Sequence, residues 1–166
     1  MDNKPPTIKE IAKKLNVSVS TVSRALSNHP RIGLSTRVRV QQLAKEMNYE
    51  PNTQAIFFKQ KKTHVIGVIL PFIREDFFSE AISGIETAAM EHDYTILFGQ
   101  SYDDPEREKK VVDTKKKQRV DGVIISLSKG TNKYDHLQAL DKYDIPVVYF
   151  DRVPTLEKAN KVFCNL

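Results

Sequence analysis

The sequence predicts two kinds of fold in one chain: a small all-α unit of three short helices up to about residue 50, then an α/β unit built on a parallel sheet. Three observations carry this. Apolar residues recur at helical spacing between Thr7 and Met47. From Val65 onward, short continuous apolar runs alternate with amphipathic stretches. Between the two, Lys59-Gln60-Lys61-Lys62 follows neither pattern and reads as a solvated connector. With 166 residues, 40% hydrophobic and 28% charged, the chain has ordinary globular composition and room for one domain, or a small one and part of another.

Thr7-Ile8-Lys9-Glu10 has the spacing of a capping box, so a first helix starts there, with Ile8, Ile11, Ala12 and Leu15 as one apolar stripe. Asn16-Val17 breaks the stripe, and Ser18 is placed to cap a second helix running to about Leu26. A third helix is expected from about Ser35 to Met47, with Val40, Leu43, Ala44 and Met47 inward and Arg37, Arg39 and Lys45 outside. Asn48-Tyr49-Glu50-Pro51 ends this unit, because the residue before proline is pushed away from helical angles. Residues 52–58 can form one further short helix.

Past the connector, Val65-Ile66-Gly67-Val68-Ile69-Leu70 is the kind of apolar run found in a strand buried on both faces. A helix carrying Ala81, Ile82, Ile85, Ala88 and Ala89 follows, then a strand over Thr95-Ile96-Leu97-Phe98. Asp104-Pro105 opens the next helix, with proline at its first position. Then come a strand over residues 122–127, a helix around Leu137 and Leu140, and a strand over Val147-Val148-Tyr149-Phe150. Strict alternation of strand and helix implies right-handed crossovers and a parallel sheet.

The net charge of +5 conceals an asymmetry. Residues 1–62 hold 12 Lys and Arg against 4 Asp and Glu, and the remainder 14 against 17, so the first third is strongly basic and the rest slightly acidic. A basic block suits a polyanion, and suits a lysine-rich solvated surface equally well. The start has no signal-peptide core, and nothing approaches the roughly 20 apolar residues of a membrane helix, so no membrane association and a cytoplasmic location are expected. The single Cys164 cannot make an internal disulfide and reads as a buried thiol. His29, His64, His92 and His136 show no metal-ligand spacing. There is no glycine-rich nucleotide loop, paired acid or nucleophile elbow, so neither catalysis nor a bound cofactor is expected.

On a helical wheel the second helix turns Val22, Ala25 and Leu26 inward and sets Ser20, Ser23, Arg24 and Ser27 on the opposite face. Small hydroxyls allow close approach to DNA, and one arginine can donate two bonds to guanine O6 and N7. An ordinary three-helix domain with a serine-rich surface has the same geometry; the basic excess favours DNA.

The segments Thr7-Ile8-Lys9-Glu10-Ile11-Ala12 and Val17-Ser18-Val19-Ser20-Thr21-Val22-Ser23-Arg24-Ala25-Leu26-Ser27 resemble the helix-turn-helix headpiece of the LacI/GalR (lac repressor) family. The similarity continues without gaps through Ser35-Thr36-Arg37, Asn48-Tyr49-Glu50-Pro51-Asn52, Ile66-Gly67-Val68, Gly84-Ile85, Arg119-Val120-Asp121-Gly122 and Asp151-Arg152. It implies a headpiece over residues 1–50, a hinge helix and linker over 51–62, and from 63–166 the amino-terminal lobe of an effector domain of periplasmic-binding-protein type. The implied protein is a dimeric transcription regulator, a repressor, on a near-palindromic double-stranded DNA operator, controlled by a small-molecule effector of the sugar or nucleobase class.

Carried over by position, Val19, Ser20 and Arg24 would read bases, and Thr7, Ser18, Thr21, Ser23, Asn28 and Thr36 would hold phosphates. The hinge segment, with Asn52, Ala55, Phe58 and Lys59, would lie over the minor groove. Phe58 stands where the family has a leucine wedge, and a phenylalanine can also part a base step. Its neighbour Phe57 departs from the family. Alternatively, both rings pack on the following domain. Phe77 and Phe78 after the first strand, and Asp151 and Arg152 after the fourth, would meet the effector at the carboxyl ends of the strands, where ligands bind open α/β sheets. Packing is the rival role for the two phenylalanines, and pairing with a nearby cation the rival role for Asp151.

Two departures qualify this. Lys115 and Lys116 stand where the family places apolar residues, which should weaken that helix against the sheet. The chain ends at Leu166, where the family crosses into a second lobe, so the expectation is a truncated form lacking half of the effector cleft. An unregulated or interfering DNA binder is therefore the alternative function. A solute-binding protein shares the lobe but needs an export signal and no headpiece.

Overall fold

The computed structural model describes residues 4–163, and for Phe58 and Lys59 the backbone alone; Cys164 lies outside the described residues. The chain divides into two compact units, Met1–Thr53 and Gln54–Leu166. The sequence reading instead set residues 51–62 apart as a segment of their own.

The first unit holds α1 (Ile8–Leu15), α2 (Val19–Leu26) and α3 (Leu34–Glu46). The capping box of α1 is complete: Thr7 Oγ1 accepts from the Glu10 amide at 3.3 Å, and the Thr7 amide donates to Glu10 Oε2 at 2.7 Å. Asn16 ends α1 in the left-handed region at φ 52°, and the Val17 amide donates back to the Ala12 carbonyl at 3.0 Å. Ser18 caps α2 as expected, its Oγ accepting from the Thr21 amide at 3.0 Å. Ile11, Ala12, Val22, Ala25, Val40 and Ala44 form the core. One residue departs from the outward set: Arg37 is half-buried, and its Nη2 donates to the Ile32 carbonyl at 3.0 Å, securing the loop before α3.

α4 (Thr53–Gln60) belongs to the second unit from Gln54 on, followed by β1 (Val65–Leu70), α5 (Asp76–Glu91), β2 (Thr95–Gln100), α6 (Pro105–Lys117), β3 (Gly122–Ile125), α7 (Asp135–Gln138), a 3-10 turn at Asp141–Tyr143, β4 (Val147–Phe150) and β5 (Asn160–Val162). All pairings are parallel, in the order β2-β1-β3-β4-β5. The three-residue β5 has no apolar pattern by which sequence could reveal it; it borrows order from β4 at the sheet edge. Because β1 alternates faces, Val68 and Leu70 meet Phe78 on one side, while Ile69 joins Val112, Val123 and Ile125 on the other.

The expected weakening of α6 at Lys115 is not what the fold shows. Lys115 is 4% exposed, and its Nζ donates to the Phe98 carbonyl at 2.8 Å. Its stem lies over Gly67, where a Cβ would sit 3.2 Å from Lys115 Cγ, while Val111 of the same helix takes the space over Gly99, where a Cβ would sit 2.4 Å from Val111 Cγ1. Missing side chains in the sheet thus make room for a long one from the helix. Lys116 turns away, pairing with Asp113 at 2.9 Å.

Burial pushes the Lys115 amine below its usual value. A lysine whose folded value is depressed opposes folding while charged, so stability should rise with pH as the ordinary lysine range is approached. Lys115→Met should cost less than about 1.5 kcal/mol and abolish that alkaline rise. Lys115→Ala should cost about 2 kcal/mol or more through the cavity it leaves. Denaturant melts at neutral and alkaline pH measure both, and equal losses for the two variants would refute the packing role of the stem.

Candidate nucleic-acid interface

What α2 can present is set by what it must bury. Val22 and Ala25 are fully enclosed, and with 3.6 residues per turn this turns Ser20, Ser23, Arg24 and Ser27 to solvent. Val19, the first helical residue, is 41% exposed. Among the described residues the Arg24 guanidinium has no hydrogen-bond or ion-pair partner, so its donors are available. The helix beneath it is closed by the His29 amide donating to the Arg24 carbonyl at 2.9 Å. The face is low, hydroxyl-rich and carries one unpaired planar cation, which is the chemistry that reads base edges.

Around it lie the short polar residues expected to hold phosphates. Thr7 and Ser18 are N-caps, and because each oxygen accepts an amide of its helix, its own hydroxyl proton can be directed elsewhere. Ser18 and Thr21 lie hydroxyl to hydroxyl at 2.9 Å. Ser23 is exposed, and Thr36 is half-buried in the first turn of α3. Asn28 follows α2 in the left-handed region at φ 55°, and its Oδ1 accepts from Gln41 Nε2 at 2.8 Å, leaving the amide donors. Gln41 also reaches the Ala25 carbonyl at 3.5 Å. Sequence reasoning missed this brace from α3, since nothing local ties Gln41 to a residue thirteen positions earlier.

Asn52 and Ala55 are exposed at and near the start of α4. Phe58 and Lys59 fall within α4, but their side chains lie outside the described residues. Phe57 follows the packing alternative: its ring stacks on His64 with centroids 4.1 Å apart.

At the carboxyl edge of the sheet, the two phenylalanines part company. Phe78 is 2% exposed, in the core with Val68, Leu70 and Phe150, so its ring is closed to an effector; the helical turn that carries it points it at the sheet. Phe77 is half-buried and meets Phe78 edge-on at 5.2 Å. Asp151 Oδ2 accepts from Ser126 Oγ at 3.1 Å and lies 3.9 Å from Arg152 Nε. Arg152 itself pairs with Asp103 and reaches the Leu127 carbonyl at 3.5 Å. Asp103 also accepts from the Lys129 amide at 3.2 Å. Loops after β2, β3 and β4 are therefore joined by one polar network, with Tyr102, Asp103 and Asp151 all at positive φ.

Beneath that network lies Glu108, 0% exposed in the first turns of α6. Its Oε2 accepts from the Ser128 amide at 2.6 Å, and its Oε1 from the Thr131 hydroxyl at 3.2 Å, with His136 Nε2 at 2.9 Å. Burial pushes the carboxyl up, while the hydrogen bonds from His136 and Ser128 outweigh it and hold the group below its usual range. A glutamate on an otherwise charged helix carries no sequence signal for this role. Among the described residues no group of three or more His, Cys, Asp or Glu could hold a metal ion, and no helix is long and apolar enough to cross a membrane.

The model of bacterial regulatory proteins of the lacI family matches residues 7–52, and that of periplasmic binding proteins and the sugar binding domain of the LacI family matches 63–163. Catabolite control protein B of Bacillus subtilis (strain 168) is 38% identical, across 87% of this chain and 50% of the relative. The sucrose operon repressor of Pediococcus pentosaceus is 32% identical, across 89% of this chain and 44% of the relative. The lac repressor dimer bound to operator and the anti-inducer ONPF shares the fold, with a TM-score of 0.78 at 24% identity, over 96% of this chain and 48% of that one. The chain thus spans about half the length of the curated relatives it matches.

Glu108→Gln turns an amide toward the Ser128 N–H and should cost about 1–3 kcal/mol at neutral pH. Because the folded carboxyl value is depressed, its stabilisation is present above the unfolded value and is lost as pH falls through the folded one. Melts from pH 7 down to about 3 should therefore show the gap between wild type and variant closing. A gap that stays constant across the range would refute the anchoring by an ionised carboxylate.

Proposed function

The chain belongs to the lacI family of bacterial regulatory proteins, and on that footing we propose that it is a sequence-specific DNA-binding transcription regulator, a repressor, acting as a homodimer on a near-palindromic operator. The observation that carries this reading is the outer face of α2, where an unpaired Arg24 stands among Ser20, Ser23 and Ser27 over a closed core. Arg24 donates to a guanine edge, Val19 and Ser20 choose among neighbouring base pairs, and Thr7, Ser18, Thr21, Ser23, Asn28 and Thr36 fix register on the phosphates. A basic first third supplies the non-specific attraction, which weakens with salt. Two-fold pairing follows from the small reading surface: one three-helix head makes few contacts, and a palindrome lets two act together. The related structure is a dimer on its operator, in keeping with this.

The hinge helix α4 lies over the operator centre, with Asn52 and Ala55 at its start, Phe58 as the apolar wedge and Lys59 beside the backbone. The second unit receives a small molecule of the sugar class at the carboxyl edge, with Phe77 as a stacking ring and Asp151 and Arg152 as polar partners. Supporting this are the sugar-binding family model over residues 63–163 and a relative named for a sucrose operon. The protein works in the cytoplasm, where its operator is.

Selection of bound sites from a random DNA pool tests the reading: an enriched two-fold motif is expected, and no enrichment at modest ionic strength would overturn it. On the selected site, Arg24→Ala should cost about 1–3 kcal/mol and relax preference at one base pair, whereas an equal loss on every sequence would remove its base-reading role. Phe58→Ala should reduce operator bending measured by fluorescence transfer between end-labelled duplex termini; unchanged bending would eliminate the wedge.

A further inference from the structure

Only four residues, 61–64, separate α4 from β1, and they do not behave as a solvated tether. Lys61 and His64 both adopt positive φ, 55° and 54°, a costly conformation for non-glycine residues. Each is held by specific bonds. The Lys62 amide donates to the Phe57 carbonyl at 3.1 Å, closing the end of α4. Asp121, at the head of β3, receives the rest: its Oδ2 accepts from the His64 amide at 3.0 Å and its Oδ1 from the Thr63 amide at 2.8 Å. The Thr63 hydroxyl lies 3.0 Å from both Asp121 Oδ1 and the Arg119 carbonyl. Asp121 is itself fixed, because its amide donates to the Val65 carbonyl at 2.8 Å.

Side chains complete the arrangement. The His64 ring is sandwiched between Phe57 of α4, at 4.1 Å and 18°, and Tyr94 just before β2, at 4.9 Å and 26°. Its Nδ1 donates to the Asp93 carbonyl at 3.2 Å. These contacts hold the carboxyl end of α4 against the second unit's sheet.

We infer that Phe57, His64, Tyr94 and Asp121 form a rigid joint that fixes how α4 leaves the amino edge of the sheet, making them positioning residues for the hinge helix on the operator. The positioning role rests on the operator reading above; the joint itself does not. Phe57, a departure from the family's sequence, is thereby the ring that ties α4 to the sheet.

Limited trypsin digestion of the DNA-free full chain tests the joint, with cleavage after Lys61 and Lys62 followed by mass spectrometry. Phe57→Ala and Asp121→Asn should each speed that cleavage about fivefold or more while the main thermal transition stays in place, and Phe57→Tyr should restore the wild-type rate. On DNA, Phe57→Ala should weaken binding to the selected two-fold site about tenfold while leaving binding to a single half-site duplex unchanged. Should Asp121→Asn lower the thermal transition, Phe57→Leu, which keeps apolar bulk and loses the stack, decides instead. Unchanged cleavage in Phe57→Ala and Phe57→Leu would overturn the joint, and an equal loss on the half-site duplex would overturn its positioning role. A wild-type chain without sequence preference would sink the operator reading, and the digestion would still decide the joint.

Discussion

An eight-residue helix does not hold itself together in water, and the surface of the first unit follows from that constraint. α2 exists because Val22 and Ala25 are enclosed by Ile11, Ala12, Val40 and Ala44, and because Ser18 satisfies an amide that its first turn leaves open. Once those two residues face inward, helical periodicity alone places Ser20, Ser23, Arg24 and Ser27 outside. The core is therefore also the device that aims the arginine. The brace from Gln41 to Asn28 and the tie from Arg37 to the Ile32 carbonyl extend the same control to the loop beyond the helix.

In the second unit, close approach plays the corresponding part. Gly67 and Gly99 let α6 descend onto the sheet, and the space is filled by the stem of Lys115 over Gly67 and by Val111 over Gly99. That descent buries Glu108, whose carboxylate then organises the loop from Ser128 to Thr131. The network at the carboxyl edge, from Ser126 through Asp151 and Arg152 to Asp103, sits on this support. At the opposite edge, Asp121 and the His64 stack do the same for α4. The parallel sheet thus has two ordered edges, one held by the Asp103–Arg152–Asp151 network and the other by Asp121 and the His64 stack.

Much of the architecture was legible because its signals are local. The Thr7 capping box, the Ser18 cap, the Asp104-Pro105 helix start and the apolar run from Val65 to Leu70 each state a preference within a few residues. Sequence went astray where two adjacent residues of one type divide between roles. Phe77 and Phe78 are indistinguishable by composition, yet one helical step sends Phe78 into the core and leaves Phe77 half-buried. Lys115 and Lys116 divide likewise, one beneath the helix and one paired with Asp113. Arg37 looked like an outer cation and is half-buried at a loop carbonyl.

The sequence by itself determined the order of helices and strands as far as β4, the closed core of the first unit and the face that α2 turns outward, since spacing and capping act over one or two turns. Tertiary structure alone decided which distant groups meet: Arg152 with Asp103, Glu108 with the loop after β3, Asp121 with the residues entering β1. Those pairs are separated by 49, 20 and 58 positions. No local preference encodes them, because a polar bond between such remote residues gains its strength only after packing has excluded water and fixed both partners.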